Sequence, residues 1–145
     1  MQHNKQSGIN EIFEQRKRIY KLSVPFSSFR RRALKALRGS DATFDDWMRV
    51  HDDPDSDPNL KKISLDEMFK RALTIDDYIC FYVRATRVSD KQKALKNISK
   101  IDADFEKLVG ISLNPDSHPR VKKIIDRRIE EFSTKGYVKI LGRVR

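Results

Sequence analysis

The chain contains a single cysteine, Cys80, among its 145 residues. One cysteine cannot form a disulfide within the chain or supply a zinc site built on several thiolates, so both frameworks are excluded. Cys80 lies in the apolar stretch 78–82, where we expect an inert buried thiol rather than a nucleophile. A chain of this length can still bury a hydrophobic core of its own.

Long apolar runs are also lacking. No run approaches the ~18 residues that a membrane span needs. The polar start at residues 1–5 has no apolar region of the kind found in a signal peptide. We therefore expect an intracellular protein, in the cytoplasm, the nucleoid or the nucleus, with no membrane partner.

Motifs of the common catalytic families are absent. The sequence has no Walker A loop and no GxGxxG, GxSxG or HExxH motif. Its three histidines are far apart, with no metal-binding spacing along a helix. Acids alternate over residues 53–59 as in a calcium loop, but Pro58 and Ser64 stand where an EF-hand needs glycine and a bidentate acid. We expect no enzyme, no catalytic residue, no metal site and no cofactor.

Positive charge is in excess and is unevenly distributed. The 31 Lys and Arg against 21 Asp and Glu give a net charge of +10. Residues 1–40 carry +8, residues 41–77 carry −6 and residues 78–145 carry +8. Two basic segments therefore flank an acidic one, and this distribution favours an anionic partner.

Helical periodicity dominates, and we predict a mainly α, single domain over 1–145 with about six or seven helices and a short C-terminal β-strand. Residues 1–40 are predicted as a basic helical pair, 51–62 as an acidic loop, 63–136 as the helical core and 137–145 as a β-like tail. The acidic loop could fold over the basic surface and weaken non-specific binding.

Local motifs predict where the helices begin and end. Helix-start motifs occur at Thr43, Ser64, Thr74 and Ser89. Glycines expected to end helices are Gly39, Gly110 and Gly136. The last helix is expected to begin at Pro119, with His118 as its cap.

An apolar stripe with 4-3-4-3 spacing runs from Ala94 to Leu108 and predicts one long helix from Ser89 to Gly110. The stripe covers about two heptads, which is short for a free coiled coil. It suits packing within the chain or a modest dimer seam, so a homodimer stays open.

Basic helix faces are the main candidate for function. The residues predicted to contact phosphates are Arg30, Arg31, Arg32, Lys35, Arg38, Arg120, Lys123, Arg127 and Arg128. Several cations on one helix face favour a nucleic-acid backbone because binding releases counterions. The last helix, Gly136 and the tail also have the outline of a recognition helix and a wing, although no second wing strand follows.

Aromatic residues interleave with the N-terminal cations and could stack on bases. They are Phe13, Tyr20, Phe26 and Phe29. Helical spacing favours core packing for most of them, so Tyr20 and Tyr137 are the better candidates for exposure.

The sequence thus predicts a non-catalytic nucleic-acid-binding protein, with DNA the favoured partner, in an accessory or regulatory role. The alternative is an adaptor or inhibitor that docks its basic surface on an acidic partner protein. Basic side chains from the first, second and last helices should converge on one face if the first prediction is right. Scattered cations would favour the alternative.

Overall fold

A computed structural model describes the backbone of residues 10–144 and the side chains of residues 10–134. Eight α-helices and no strand occur in that range, which confirms the predicted mainly α fold. They are α1 (Glu11–Leu22), α2 (Ser28–Arg38), α3 (Phe44–Asp52), α4 (Pro58–Arg71), α5 (Ile75–Arg84), α6 (Val88–Ile98), α7 (Phe105–Leu113) and α8 (Pro119–Val144). Within the described residues, every helix is too short or too polar to cross a lipid bilayer.

The helices form two compact units, divided along the chain between Arg71 and Ala72. Unit 1 contains α1 to α4 and unit 2 contains α5 to α8. The basic pair predicted over 1–40 belongs to unit 1, whereas the core segment predicted over 63–136 has residues in both units. The prediction of one domain stays a prediction.

Unit 1 is packed around aromatic side chains of α1 and α3. Phe13 and Trp47 meet edge to face, with ring centroids 5.0 Å apart and ring planes at 70°. Tyr20 is buried on the same side of α1 as Phe13, because seven residues make about two helical turns. Other buried side chains of this unit are Leu37, Val50, Leu60 and Met68. This core fixes which faces of α1 and α2 point outward.

The capping motifs at Thr43 and Thr74 are confirmed. In each, the threonine hydroxyl accepts a hydrogen bond from the backbone of the aspartate three residues later, and that aspartate accepts one from the threonine backbone. Thr43 starts α3 in unit 1 and Thr74 starts α5 in unit 2. The prediction that Gly39 ends a helix is also confirmed, since it caps α2.

Unit 2 is packed on aliphatic and aromatic side chains from all four of its helices. In this unit α5 packs on α6, and both α6 and α7 pack on α8. Its most deeply buried side chains are Phe81, Tyr82, Ala94, Ile98, Leu108, Val121 and Ile125. The last helix begins at Pro119 as predicted.

The predicted acidic loop is shorter than expected. Because α3 continues to Asp52 and α4 begins at Pro58, only residues 53–57 connect them. The Asp57 side chain accepts a hydrogen bond from the Leu60 backbone at 2.7 Å and caps α4, and proline suits the first helical position. The start predicted at Ser64 is therefore wrong: Ser64 is buried inside α4, and its hydroxyl donates to Leu60 O at 2.6 Å.

The long helix predicted from Ser89 to Gly110 is two helices, so the structure has eight where about six or seven were expected. Asp104 starts the second by accepting a hydrogen bond from the Lys107 backbone at 2.8 Å, and Gly110 lies inside α7. The start motif at Ser89 is also wrong, since α6 follows Arg87 without a side-chain cap. The apolar stripe is confirmed only in part: Ala94, Ile98 and Leu108 are buried, whereas Ile101 is half-buried and Phe105 is exposed.

No strand forms at the C-terminal end of the described residues. The helix α8 continues from Pro119 to Val144, so it passes through Gly136 and through most of the predicted tail 137–145. A glycine inside a helix costs only about 1 kcal/mol relative to alanine, and β-branched residues cost less. The preceding turns of α8 therefore outweigh these local preferences, and the outline of a wing is lost. Residue 145 lies outside the described residues.

Candidate functional site

Helix α2 carries no acidic residue and many cations. Ser27 caps it by accepting a hydrogen bond from the Arg30 backbone at 3.0 Å. Ala33 and Leu37, four residues apart, are its buried side chains and fix the outward face. Its arginines begin in the first turn, where the helix dipole favours acidic side chains and disfavours cations.

Three of the nine residues predicted to contact phosphates already have partners within the protein. Arg30 pairs with Asp57 at 3.0 Å, and Arg38 pairs with Glu67 at 2.9 Å. Arg128 donates to a backbone oxygen of α6 at 2.9 Å. These guanidinium groups already have partners, so they are weaker candidates for phosphate binding than exposed cations.

The pair of Arg38 and Glu67 joins a partly exposed guanidinium to a buried carboxylate. This carboxylate is only 2 % exposed and accepts hydrogen bonds from Arg38, Lys70 and Arg71. Burial acts to raise the pKa of Glu67, but the hydrogen bonds from Arg71, Lys70 and Arg38 outweigh it and hold that pKa below its ordinary value. Arg38 is therefore part of a charge network of unit 1 that is centred on the buried Glu67.

The other six predicted residues are exposed. In the described part of the chain, their side chains make no hydrogen bond and no ion pair. We name them by helix: the α2 cations are Arg31, Arg32 and Lys35, and the α8 cations are Arg120, Lys123 and Arg127. Arg31 and Lys35 are four residues apart and share one face of α2, and the three α8 cations share one face by their three- and four-residue spacing.

The α8 cations lie among acidic side chains. Lys122 pairs with Asp126 at 3.2 Å, and the Ser112 hydroxyl donates to Asp126 at 2.5 Å. These hydrogen bonds, from Ser112 first and Lys122 second, hold the pKa of Asp126 below its ordinary value. Glu130 is exposed on the same helix. Because the two cation groups belong to different units, their predicted convergence stays a prediction.

A strained turn presents Phe26 to solvent between α1 and α2. The Ser27 backbone donates to Val24 O at 3.3 Å and closes a β-turn with Pro25 and Phe26 at its centre. Phe26 has a φ of 64°, so the turn follows the type II pattern in which glycine is usual at this position. A left-handed backbone costs a residue with a side chain roughly 1–2 kcal/mol. Phe26 is 101 % exposed and gains no burial that offsets this cost.

A cleft of about 360 Å³ lies beside this turn in unit 1, and we call it the Phe26 cleft. Its apolar lining residues are Tyr20, Pro25, Phe26 and Leu34. Its polar lining residues are Ser27, Arg30, Arg31, Asp57 and Asn59. The guanidinium of Arg30 lies over the Tyr20 ring, and Asn59 donates to the Tyr20 hydroxyl at 3.2 Å. A concave surface with apolar walls and a few polar groups is typical of a binding site.

The exposed aromatic side chains are not the ones that the sequence favoured. Tyr20 is 1 % exposed and Phe13 is buried beside Trp47, so neither ring is free to stack on a base. Phe26 and Phe29 are the exposed rings next to the basic residues of α2. The side chain of Tyr137 lies outside those that the structure describes. Pro25 indicates a turn in the sequence, but the exposure of Phe26 follows from its positive φ, which the sequence does not specify.

Two acids of the connection 53–57 contact the basic helices of unit 1, whereas their effect on non-specific binding stays a prediction. Asp53 pairs with Lys21 of α1 at 3.2 Å, and Asp57 pairs with Arg30 of α2 at 3.0 Å. The Asp55 backbone and then Lys21 donate hydrogen bonds to Asp53 and hold its pKa below the ordinary value. The loop therefore places negative charge at the edge of the Phe26 cleft.

Other polar candidates have structural explanations. His118 accepts a hydrogen bond from the Arg120 backbone at 3.2 Å, which confirms its predicted role as a helix cap. Cys80 is half-buried, and burial raises the pKa of its thiol, which keeps the less reactive protonated form. Among the residues with described positions, no group of three His, Cys, Asp or Glu could hold a metal ion.

Comparison of the chain with protein-family models, with curated proteins and with solved structures finds no match. A function must therefore be inferred from the residues of the two units themselves. The α2 cations and the Phe26 cleft are the strongest candidates, because both are exposed and both lie in one unit.

Proposed function

We propose that this chain is a non-catalytic nucleic-acid-binding protein, with DNA the favoured partner, in an accessory or regulatory role. The α2 cations supply the principal phosphate contacts, and the α8 cations supply weaker ones. The observation that carries the proposal is the charge of α2: three exposed cations with no partner among the described residues, on a helix without an acid.

Among the described residues of unit 1, no ion pair includes Arg31, Arg32 or Lys35. Acidic side chains of this unit already pair with other cations, and these acids are Glu14, Asp46, Asp53, Asp57 and Glu67. A nucleic-acid backbone supplies the missing negative charge, and its binding is favoured because each neutralised phosphate releases counterions.

The position of the cations on α2 supports the same proposal. Arg31 and Arg32 lie near the start of the helix, where the helix dipole favours an anion. Cations placed there weaken the isolated helix slightly. The presence of Arg31 and Arg32 at this position is explained if a bound phosphate offsets the loss of helix stability.

A mobility-shift assay with duplex DNA, single-stranded DNA and RNA, each titrated with salt, tests the proposal. The test variant is Arg31→Gln/Arg32→Gln/Lys35→Gln, and the matched control is Lys93→Gln/Lys96→Gln/Lys100→Gln, which removes the same charge from exposed residues of unit 2. We expect the test variant to lose about a hundredfold in affinity at low salt, since three exposed charge contacts contribute about 1 kcal/mol each. The control should lose much less. If the wild-type chain binds none of the three at physiological salt, the proposal is wrong.

A second candidate function is an adaptor or inhibitor that docks on an acidic partner protein. One observation favours it: apolar side chains on α1 and just after it are exposed, and phosphates would not cover them. They are Ile12, Ile19, Leu22 and Val24. Under the nucleic-acid proposal, Ile12→Ser/Ile19→Ser binds DNA as the wild type does. Under the adaptor alternative, the wild type binds no nucleic acid at physiological salt. The sequence also left a homodimer open, and sedimentation of the chain alone tests that oligomeric state.

A further inference from the structure

We propose that the Phe26 cleft binds an unpaired base of a single-stranded nucleic acid while the α2 cations hold the adjoining phosphates. This inference rests on the proposed function and adds to it the form of nucleic acid that unit 1 selects. It depends on the cleft and the exposed ring of Phe26, neither of which phosphate binding alone explains.

The cleft offers surfaces on which a flat base can stack. Phe26 is fully exposed at its edge, and the strained turn holds the residue away from the core. The Arg30 guanidinium is itself flat and is fixed over the Tyr20 ring at 4.2 Å. Aromatic rings and arginine guanidinium planes are the two platforms on which proteins stack unpaired bases.

The polar groups of the cleft fit a base better than an acidic side chain. Asp57 lines the cleft and pairs with Arg30 at 3.0 Å, so the Arg30 guanidinium is not free to pair with a glutamate or aspartate of a partner protein. The same carboxylate accepts hydrogen bonds from the amino group of an uncharged base. Asn59 also lines the cleft, and its amide has a second N–H beside the one that it donates to the Tyr20 hydroxyl.

Positive charge continues outward from the cleft along α2. Arg31 lines the cleft, and Arg32 and Lys35 follow it on the exposed surface of the helix. A base held in the cleft therefore leaves its flanking phosphates near cations that have no partner among the described residues.

A duplex cannot use the cleft, because its bases are stacked on one another and only their edges are accessible. Single strands and duplexes should therefore both contact the α2 cations, but only single strands should contact Phe26. This difference separates the inference from the proposed function on which it rests.

The test measures the affinity of the full chain for a short oligonucleotide of mixed sequence, single-stranded and as its duplex, at one salt concentration by fluorescence anisotropy. Phe26→Gly removes the ring and suits the positive φ of the turn. Leu22→Ala is the control, since Leu22 is an exposed apolar residue that does not line the cleft. We expect Phe26→Gly to weaken single-strand binding about tenfold and to leave duplex binding within about twofold of wild type, since one stacked base is lost. Leu22→Ala should bind both as the wild type does, and Phe26→Trp should retain single-strand binding.

Other results would overturn the inference alone or the proposed function together with it. If Phe26→Gly leaves single-strand binding unchanged while Arg31→Gln/Arg32→Gln/Lys35→Gln weakens both forms, the inference is overturned and the proposed function stands. An equal loss for both forms in Phe26→Gly also overturns the inference. If the wild type binds neither form, the proposed function fails and the inference with it. If Phe26→Gly lowers binding of poly-glutamate but not of the single strand, the cleft is a protein-docking site and the inference is wrong.

Discussion

The guanidinium carbon of Arg30 lies 4.2 Å from the centroid of the Tyr20 ring. The same guanidinium donates to Ser23 O at 3.0 Å and pairs with Asp57 at 3.0 Å. Arg30 therefore ties α1, the start of α2 and the acidic loop together, and it forms one wall of the Phe26 cleft.

Replacing Arg30 with lysine should destabilise unit 1 although the net charge is unchanged. A lysine ammonium cannot stack flat on Tyr20 while also donating in two directions, so Arg30→Lys should lower the free energy of unfolding by about 1–2 kcal/mol. Urea unfolding of the variant and the wild type measures this difference. Arg31→Lys, at an exposed position next to it, is the control and should unfold as the wild type does. Equal stability of all three proteins would show that the stacked geometry contributes nothing.

Neutralising Asp57 should strengthen binding to nucleic acid. Asp57→Asn keeps an oxygen that can cap α4 but removes a negative charge at the edge of the cleft, so affinity for random-sequence duplex DNA should rise about fivefold at low salt. Asp66→Asn, an exposed residue of α4, makes the same change in net charge and serves as the control. No difference between the two variants would mean that the acidic loop does not compete with phosphates.

Phe26→Gly should make the protein slightly more stable. Glycine adopts a positive φ without strain, and the fully exposed ring contributes no burial that would be lost. The relieved strain exceeds the added backbone freedom of glycine in the unfolded state, so we expect a gain of about 0.5–1 kcal/mol in the free energy of unfolding. Urea unfolding monitored by circular dichroism checks it. A loss of stability greater than about 1 kcal/mol would indicate that the ring packs against the protein in solution.

Acid should destabilise the chain through Glu67. The folded-state pKa of Glu67 lies below its ordinary value of 4.5, so the ionised carboxylate stabilises the folded state above that pH. This contribution is lost as the pH falls from the ordinary value through the lower folded pKa. Glu67→Gln should lower stability at neutral pH by about 1–2 kcal/mol, because it removes the anion that accepts hydrogen bonds from the partly exposed Arg38, Lys70 and Arg71. Its thermal midpoint should then change less between pH 7 and acid than that of the wild type.

Exposed Glu106 provides the control for this pH dependence. Glu106→Gln should keep both the neutral-pH stability and the acid sensitivity of the wild type. If Glu67→Gln retains the full acid sensitivity, other carboxylates are responsible for it, and the charge network around Glu67 contributes little to it.

The sequence predicts the start of a helix correctly where no earlier residue can begin the same helix. At Thr43 and Thr74, hydroxyl and carboxylate stand three residues apart before an apolar residue, and both form the predicted cap. At Ser64 the same pattern is present, but Asp57 and Pro58 start the helix earlier, so the serine hydroxyl bonds to the preceding turn. A capping motif is local, and it does not show whether a helix has already begun.

The break between α6 and α7 was not predicted, because the apolar spacing continues across it. Ala94, Ile98 and Leu108 keep the spacing of one helix, but the chain leaves helical geometry before Asp104 caps the next helix. Both helices pack on α8, so a shared buried surface imposes the same apolar pattern on both sides of the break.

The candidate site was predicted in part. The α2 cations are exposed as expected, but no local pattern shows that Arg30 and Arg38 have acidic partners 27 and 29 residues away in the chain. The burial of Tyr20 follows from its place on the same face as Phe13, whereas the exposure of Phe26 depends on a backbone angle that the sequence does not specify. The structure therefore adds two things that the sequence does not show. One is the set of contacts between distant segments, and the other is the geometry of the turn.

The salt dependence of duplex DNA binding tests the central claim, that the α2 cations contact phosphates, most directly. The slope of log Kobs against log salt should be about 2.7 less steep in Arg31→Gln/Arg32→Gln/Lys35→Gln than in the wild type, because each phosphate contact contributes about 0.9. Lys93→Gln/Lys96→Gln/Lys100→Gln should keep the wild-type slope. Equal slopes in the wild type and the α2 variant would contradict the claim.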